Sequence, residues 1–188
     1  MSFEFEETAI PNVILIRPQI FPDQRGAFWE GFKASDFVGQ GIPGCFVQDN
    51  LSRSKQGVLR GLHYQLEPHA QGKLITVLEG EIYDVAVDIR AGSPTFGRWI
   101  GKRLSAANDL MLYIPEGFAH GFQILSEQAL VAYKLTTEFA PKYERGIIWD
   151  DPSLGINWPI IKPILSKKDR GWARMEDAEL NFRYPEEL

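Results

Sequence analysis

Residues 81–90, EIYDVAVDIR, carry the alternation on which the fold reading turns. On an extended strand Tyr83, Val85, Val87 and Ile89 share one face, and Ile82, Asp84, Ala86 and Asp88 share the other. Similar runs of β-branched and aromatic residues lie on both sides. Upstream are NVILIRPQIF (12–21), AFWEGF (27–32), CFVQDNLSRS (45–54), VLRGLHYQ (58–65) and KLITVLEG (73–80). Downstream are GRWIGKRLS (97–105), LMLYIP (110–115), HGFQILS (120–126) and ALVAYKLTTEF (129–139). A spacing of roughly ten residues, punctuated by Gly and Pro turns, predicts an antiparallel sandwich or closed barrel. Helical patterning is confined to KASDFVGQG (33–41) and the segment after Ser166. The expected fold is all-β, an antiparallel barrel or jelly roll with small helical additions.

The chain of 188 residues, 44% hydrophobic, is sized for one domain over 1–188 with one sizeable core. A net charge of −5 argues against general nucleic-acid binding, so an anionic ligand needs a local cluster of Arg and Lys. A single cysteine, Cys45, excludes an intrachain disulfide and any zinc site built from cysteines. No apolar run is long enough to span a membrane or resembles a secretion signal, and the cytoplasm is the expected location.

Polar residues on apolar strand faces are the first candidates for chemistry. Lys73 shares a face with Ile75 and Val77, and Tyr133 with Val131 and Leu135. A polar group there needs partners, which a snorkelling lysine or a backbone carbonyl would satisfy without any function. His63 lies in RGLHYQ (60–65), where a guanidinium, a glycine and an imidazole fall within four positions. Arg60 and His63 have opposite parity on a regular strand, and Gly61 between them permits a bulge that re-aims a side chain.

GVLRGLHYQ, GEIYDVAVDIR and YIPEGFAHGFQ together resemble the cupin barrel. Metal-binding cupins carry an H-x-H pair and a glutamate in a first motif and P-x-G-x-x-H in a second. Here the second motif is present as Pro115, Gly117 and His120, but in the first His63 is followed two positions on by Gln65. Amide oxygens are poor ligands for the metals that imidazole suits, so no metal cofactor is expected. His69 lies in the Pro- and Gly-flanked loop EPHAQG and reads as solvated.

A closer resemblance covers nearly the whole chain. FPDQRGAFWE, FVQDNLSRSKQGVLRGLHYQ, QGKL, DVAVDIRAGSPTFGRW, IPEGFAHGF, WDDPSLGINWP and LSKKD, in this order, are similar to the dTDP-4-dehydrorhamnose 3,5-epimerase family. The resemblance implies a metal-free cupin-type homodimer that inverts C3 and C5 of a 4-keto-6-deoxyhexose attached to dTDP. It also implies roles. His63 matches the base, Asp169 of LSKKD the carboxylate behind it, Tyr133 the acid, and Lys73 a substrate-binding lysine suited to stabilising the enolate. Arg25, Glu30, Gln48, Asn50, Arg60, His120, Glu144 and Lys168 match positions that contact the ligand, with Arg25 and Glu30 reaching the partner subunit's site. Phe139 stands where the family commonly has a tyrosine that stacks on thymine, which keeps the aromatic face and loses the hydroxyl. An epimerase acting at one carbon only, a non-catalytic nucleotide-sugar binder and a metal-dependent oxygenase are the competing readings. The pairing of acid and base groups disfavours the binder, and Gln65 the oxygenase.

Overall fold

The computed structural model describes residues 2–184. Its strands are β1 (Phe3–Glu7), β2 (Ile14–Pro18), β3 (Phe21–Asp23), β4 (Gly26–Phe28), β5 (Gln48–Lys55), β6 (Leu59–Gln65) and β7 (Lys73–Glu79), followed by β8 (Glu81–Asp88), β9 (Trp99–Ser105), β10 (Met111–Ile114), β11 (Phe118–Ile124), β12 (Gln128–Leu135) and β13 (Glu144–Gly146). One sheet runs β1-β2-β10-β7-β12-β5, the other β13-β6-β11-β8-β9, and β3-β4 form a separate hairpin. The paired strands are antiparallel, giving the expected jelly roll.

Strand β8 shows why its alternation is not of the apolar/polar kind. Ile82 and Ala86 face between the two sheets, where they pack with Val13, Leu15, Ile75, Val77, Leu112, Ile114 and Val131. Val85, Val87 and Ile89 face the other way and are covered by Ile147, Leu154, Trp158 and Phe182 from the C-terminal part of the chain. Both faces are therefore dry, and the two carboxylates on the strand are buried with partners: Asp84 bonds His120, and Asp88 bonds Arg90, Ser93 and Thr95. A fully buried Val or Ile contributes roughly 1.5–3 kcal/mol, so β8 is a main anchor of the barrel. The outer face of the six-stranded sheet is closed at one end by helix α1 (Ala34–Val38), whose Phe37 packs on Phe3, Ile16, Leu74 and Met111.

Two expectations need correction. The run AFWEGF is strand only as far as Phe28. The segment after Ser166 holds no α-helix among the described residues, only turns, isolated bridges at Ala173 and Arg183, and a 3-10 helix at Met175–Asp177. The reason is local. The Ser166 hydroxyl oxygen accepts from the Asp169 N–H at 3.0 Å, and the same hydroxyl donates to Asp169 Oδ2 at 2.7 Å. This is the hydrogen-bond pattern of a helix N-cap, and with the Arg170 N–H on the Ser166 carbonyl it makes a single turn that ends at Gly171.

Strands β6 and β11 carry the irregularity that shapes the cavity. His120 pairs with His63 and Phe122 with Arg60, so three steps along β6 match two along β11. The extra residue falls at Gly61–Leu62. Gly61 has φ +140°, and a Cβ there would lie 2.5 Å from Gly121 Cα. Only glycine fits that crossing of two backbones. The bulge permits Arg60 and His63 to be placed independently, as their parity required.

Candidate active site

The barrel interior is apolar at one end and polar at the other. Inward positions on β5 are Gln48, Asn50, Ser52 and Ser54, on an edge strand beside β12. Register then sets Tyr133 across from both Asn50 and Ile75, and Leu135 across from Gln48 and Lys73. The opposing sheet supplies His63, Tyr64 and Gln65 from β6 and Glu144 from β13. With Gln48, Asn50, Lys73, Tyr133 and Leu135 opposite, and with Gln71 and Phe139, these four line a cavity of about 330 Å³.

His63 enters from the end of β6 just after the bulge. Its Nε2 lies 2.5 Å from Asp169 Oδ1, although 106 positions separate the two in sequence. Asp169 is 4% exposed. Burial pushes its carboxyl pKa up, but the hydrogen bonds from His63 and Ser166 outweigh that and hold it below the usual range. The carboxylate is thus ionised at neutral pH and fixes the imidazole in the tautomer with hydrogen on Nε2, leaving the Nδ1 lone pair free. The Trp172 ring stands edge-on to the imidazole at 6.1 Å. Gly146, across from His63 in register, has no room for a Cβ, which would sit 2.5 Å from that indole.

Lys73 and Tyr133 face His63 from the other sheet. The Lys73 ammonium donates to the His63 carbonyl oxygen at 3.1 Å, and burial lowers its pKa to about 8 despite the attraction of Asp84 and Glu144. Tyr133 packs against the inter-sheet core through its ring and lines the cavity. Asn50 Oδ1 accepts from Gln48 Nε2 at 2.9 Å, and Gln48 Oε1 accepts from the Phe139 N–H at 2.8 Å. Lys168 Nζ, on the turn that carries Asp169, bonds Glu144 Oε1 at 2.6 Å on the cavity rim.

The other predicted residues stand apart from the lining. Arg60 is exposed and donates from both Nε and Nη2 to Ser54 Oγ. His120 is buried behind the wall, with Nε2 at 2.9 Å from Asp84 Oδ2, and burial lowers its pKa. Arg25, in the β3–β4 turn, is exposed and bonds Asp23 through Nε and Nη2, and Glu30 follows the hairpin with Oε2 buried and unpartnered among the described residues. Sequence reasoning missed Tyr64, Gln65, Gln71 and Leu135 in the lining and Asp84 behind it. Asp84 was legible in part, since its parity puts it on the interior face with Ala86. Among the described residues no group of three or more His, Cys, Asp or Glu side chains converges to hold a metal ion.

A family model described as dTDP-4-dehydrorhamnose 3,5-epimerase matches residues 7–177. The chain belongs to that family. It is 54% identical over 173 residues to dTDP-4-dehydrorhamnose 3,5-epimerase of Pseudomonas aeruginosa, covering 91% of this chain and 95% of the relative. The Shigella flexneri enzyme of the same name is 52% identical over 176 residues, covering 92% and 96%. Among solved structures, a Legionella pneumophila dTDP-6-deoxy-D-glucose-3,5-epimerase in complex with dTDP-4-keto-L-rhamnose superposes with a TM-score of 0.94 at 47% identity. That match covers 98% of this chain and all of the other. The cupin-type jelly roll is the fold of this epimerase family, and no helix among the described residues is long and apolar enough to cross a membrane.

Proposed function

We propose that the chain epimerises C3 and C5 of dTDP-4-dehydro-6-deoxy-D-glucose, giving dTDP-4-dehydro-L-rhamnose for dTDP-L-rhamnose biosynthesis. The observation that carries the proposal is one cavity with an Asp169-backed imidazole on one sheet and the Tyr133 phenol on the other. Hydrogens on the carbons flanking a ketone become acidic when the charge developing on the oxygen is stabilised. His63 Nδ1 takes the proton from one face and becomes an imidazolium, which Asp169 stabilises. The electron pair moves into the enolate, and the C4 oxygen draws on the Lys73 ammonium. Tyr133 returns a proton to the opposite face of the same carbon, which inverts it. Exchange with solvent then resets His63 and Tyr133, and the cycle repeats at the second carbon with no net change in protons.

Gln48, Asn50, Phe139, Glu144 and Lys168 take the nucleotide end in this reading, with Arg60 and His120 contributing from beyond the cavity lining. A cytoplasmic homodimer completes it. The dimer is supported by the exposed apolar residues Phe21, Phe28 and Trp29 on and beside the β3–β4 hairpin, and by Leu51 and Leu78 on the outer sheet face. Arg25 in that hairpin and Glu30 just after it then serve the partner's cavity. The test is incubation with the 4-keto dTDP-sugar in deuterated water, followed by NMR. Deuterium at C3 and C5 with the L-rhamno configuration is expected. Deuterium at one carbon only would make the chain a single-position epimerase, and none at either carbon would make it a binder.

A further inference from the structure

Gln65 ends strand β6 at the cavity, and it is 3% exposed. Its amide is spent on main chain. Nε2 donates to the carbonyl oxygens of His69 at 2.7 Å and Glu138 at 3.3 Å, while Oε1 accepts from the Ala140 N–H at 2.7 Å. Two further glutamines grip the same loop. Gln71 Nε2 donates to the Thr137 carbonyl at 2.7 Å, and the Phe139 N–H donates to Gln48 Oε1 at 2.8 Å. Three side-chain amides therefore hold the peptide groups of residues 137, 138, 139 and 140 in succession.

The residue they bracket is Phe139, which is 49% exposed and lines the cavity. A phenyl ring has no polar atom by which to fix itself, so its position follows from its backbone. Gln65 acts on both sides of it, at 138 and 140, and through His69 also secures the loop that carries Gln71. We infer that Gln65 is a positioning residue for nucleotide binding, holding loop 136–140 so that the Phe139 ring stands ready to stack on the base. The inference rests on the proposed function, in which Phe139 meets the thymine. A loop ordered before binding does not have to be ordered by the ligand, so the gain belongs to affinity. The groups assigned to proton transfer sit on strands β6 and β12 and do not depend on the loop.

Leucine at 65 keeps most of the bulk but offers neither donor nor acceptor, so the loop amides must turn to water. The test compares the parent, Q65L, F139A and the double variant. KM and kcat are measured with the 4-keto dTDP-sugar, and Kd with dTDP alone. Losing base stacking in F139A is expected to raise KM and Kd about tenfold. Q65L is expected to raise both by a similar factor with a much smaller change in kcat. The double variant should bind no worse than F139A, because the first change acts through the second residue. A merely structural role would lower kcat through loss of folded enzyme and leave KM in place. Unchanged KM and Kd in Q65L, or losses that multiply in the double variant, would overturn the inference. Should Q65L fail to fold, Q71L loosens the same loop from the other side and is held to the same outcomes. A parent that binds no dTDP would overturn the functional reading and this inference with it. A parent that binds and turns over while Q65L matches it would overturn this inference alone.

Discussion

Lys73 is 7% exposed, with its Nζ on the His63 carbonyl oxygen, and burial brings its pKa down to about 8. The ammonium form is present below that pH and is lost as pH rises through it, so an alkaline fall in kcat/KM near pH 8 is expected. Arginine stays charged throughout this range, and K73R should move the alkaline fall upward even where its overall rate is lower. A profile with the same alkaline limb in K73R would remove Lys73 from the account. Gln65 bears on a second expectation at this scale. Its amide is committed to the main chain, and among the described residues the donor set around His63 is too small for a typical catalytic metal. Activity should survive exhaustive chelation; loss restored by one particular metal ion would contradict this. Lys73 and Tyr133 were legible as candidates because each is a polar residue on an apolar strand face, and His63 because it lies in RGLHYQ, while their roles came from the family resemblance. Asp169 was not legible from spacing, because a contact across 106 positions leaves no local trace, and only the family resemblance singled it out.

Strands were the legible elements, because alternation and Gly/Pro punctuation are local signals. The helix expected after Ser166 is a single capped turn that ends at Gly171, and that turn delivers Asp169 to His63. The bulge in β6 was legible as a need, from the opposite parity of Arg60 and His63, and its form came from register. Arg60 itself turned to Ser54 and away from the cavity lining, which parity could not show. Gly61→Ala tests this element. A side chain at φ +140° is strained, and its Cβ would lie 2.5 Å from Gly121 Cα. Strain of this kind costs about 1–3 kcal/mol before the clash is counted. Urea denaturation should show at least that loss, and the variant that remains folded should have reduced kcat because His63 follows the bulge. Full stability with full activity would show that the bulge does not set the imidazole.

At the scale of the whole molecule, the β3–β4 hairpin carries exposed aromatic residues, and Arg25 lies outside the lining of its own cavity. If the hairpin completes a partner's site, two inactive variants should rescue one another. R25A has an intact barrel and lacks the hairpin's guanidinium, whereas H63A has an intact hairpin and lacks the base. Subunit exchange between them creates one site with both, so mixing should restore activity that neither shows alone. Mixing without rescue, or a fully active monomer in sedimentation, would refute the shared site. The chemistry of that site rests on one base and one acid serving both carbons. General acid–base groups contribute about 10²–10⁴-fold, so their removal leaves an effect too large to mistake. The measurement is deuterium exchange at C3 and C5 of the 4-keto dTDP-sugar, followed by NMR for the parent, H63A and Y133F. H63A should be nearly silent at both carbons, and Y133F should retain some exchange while completed inversion falls. Exchange at either carbon in H63A at close to the parent rate would contradict the account and require a second base.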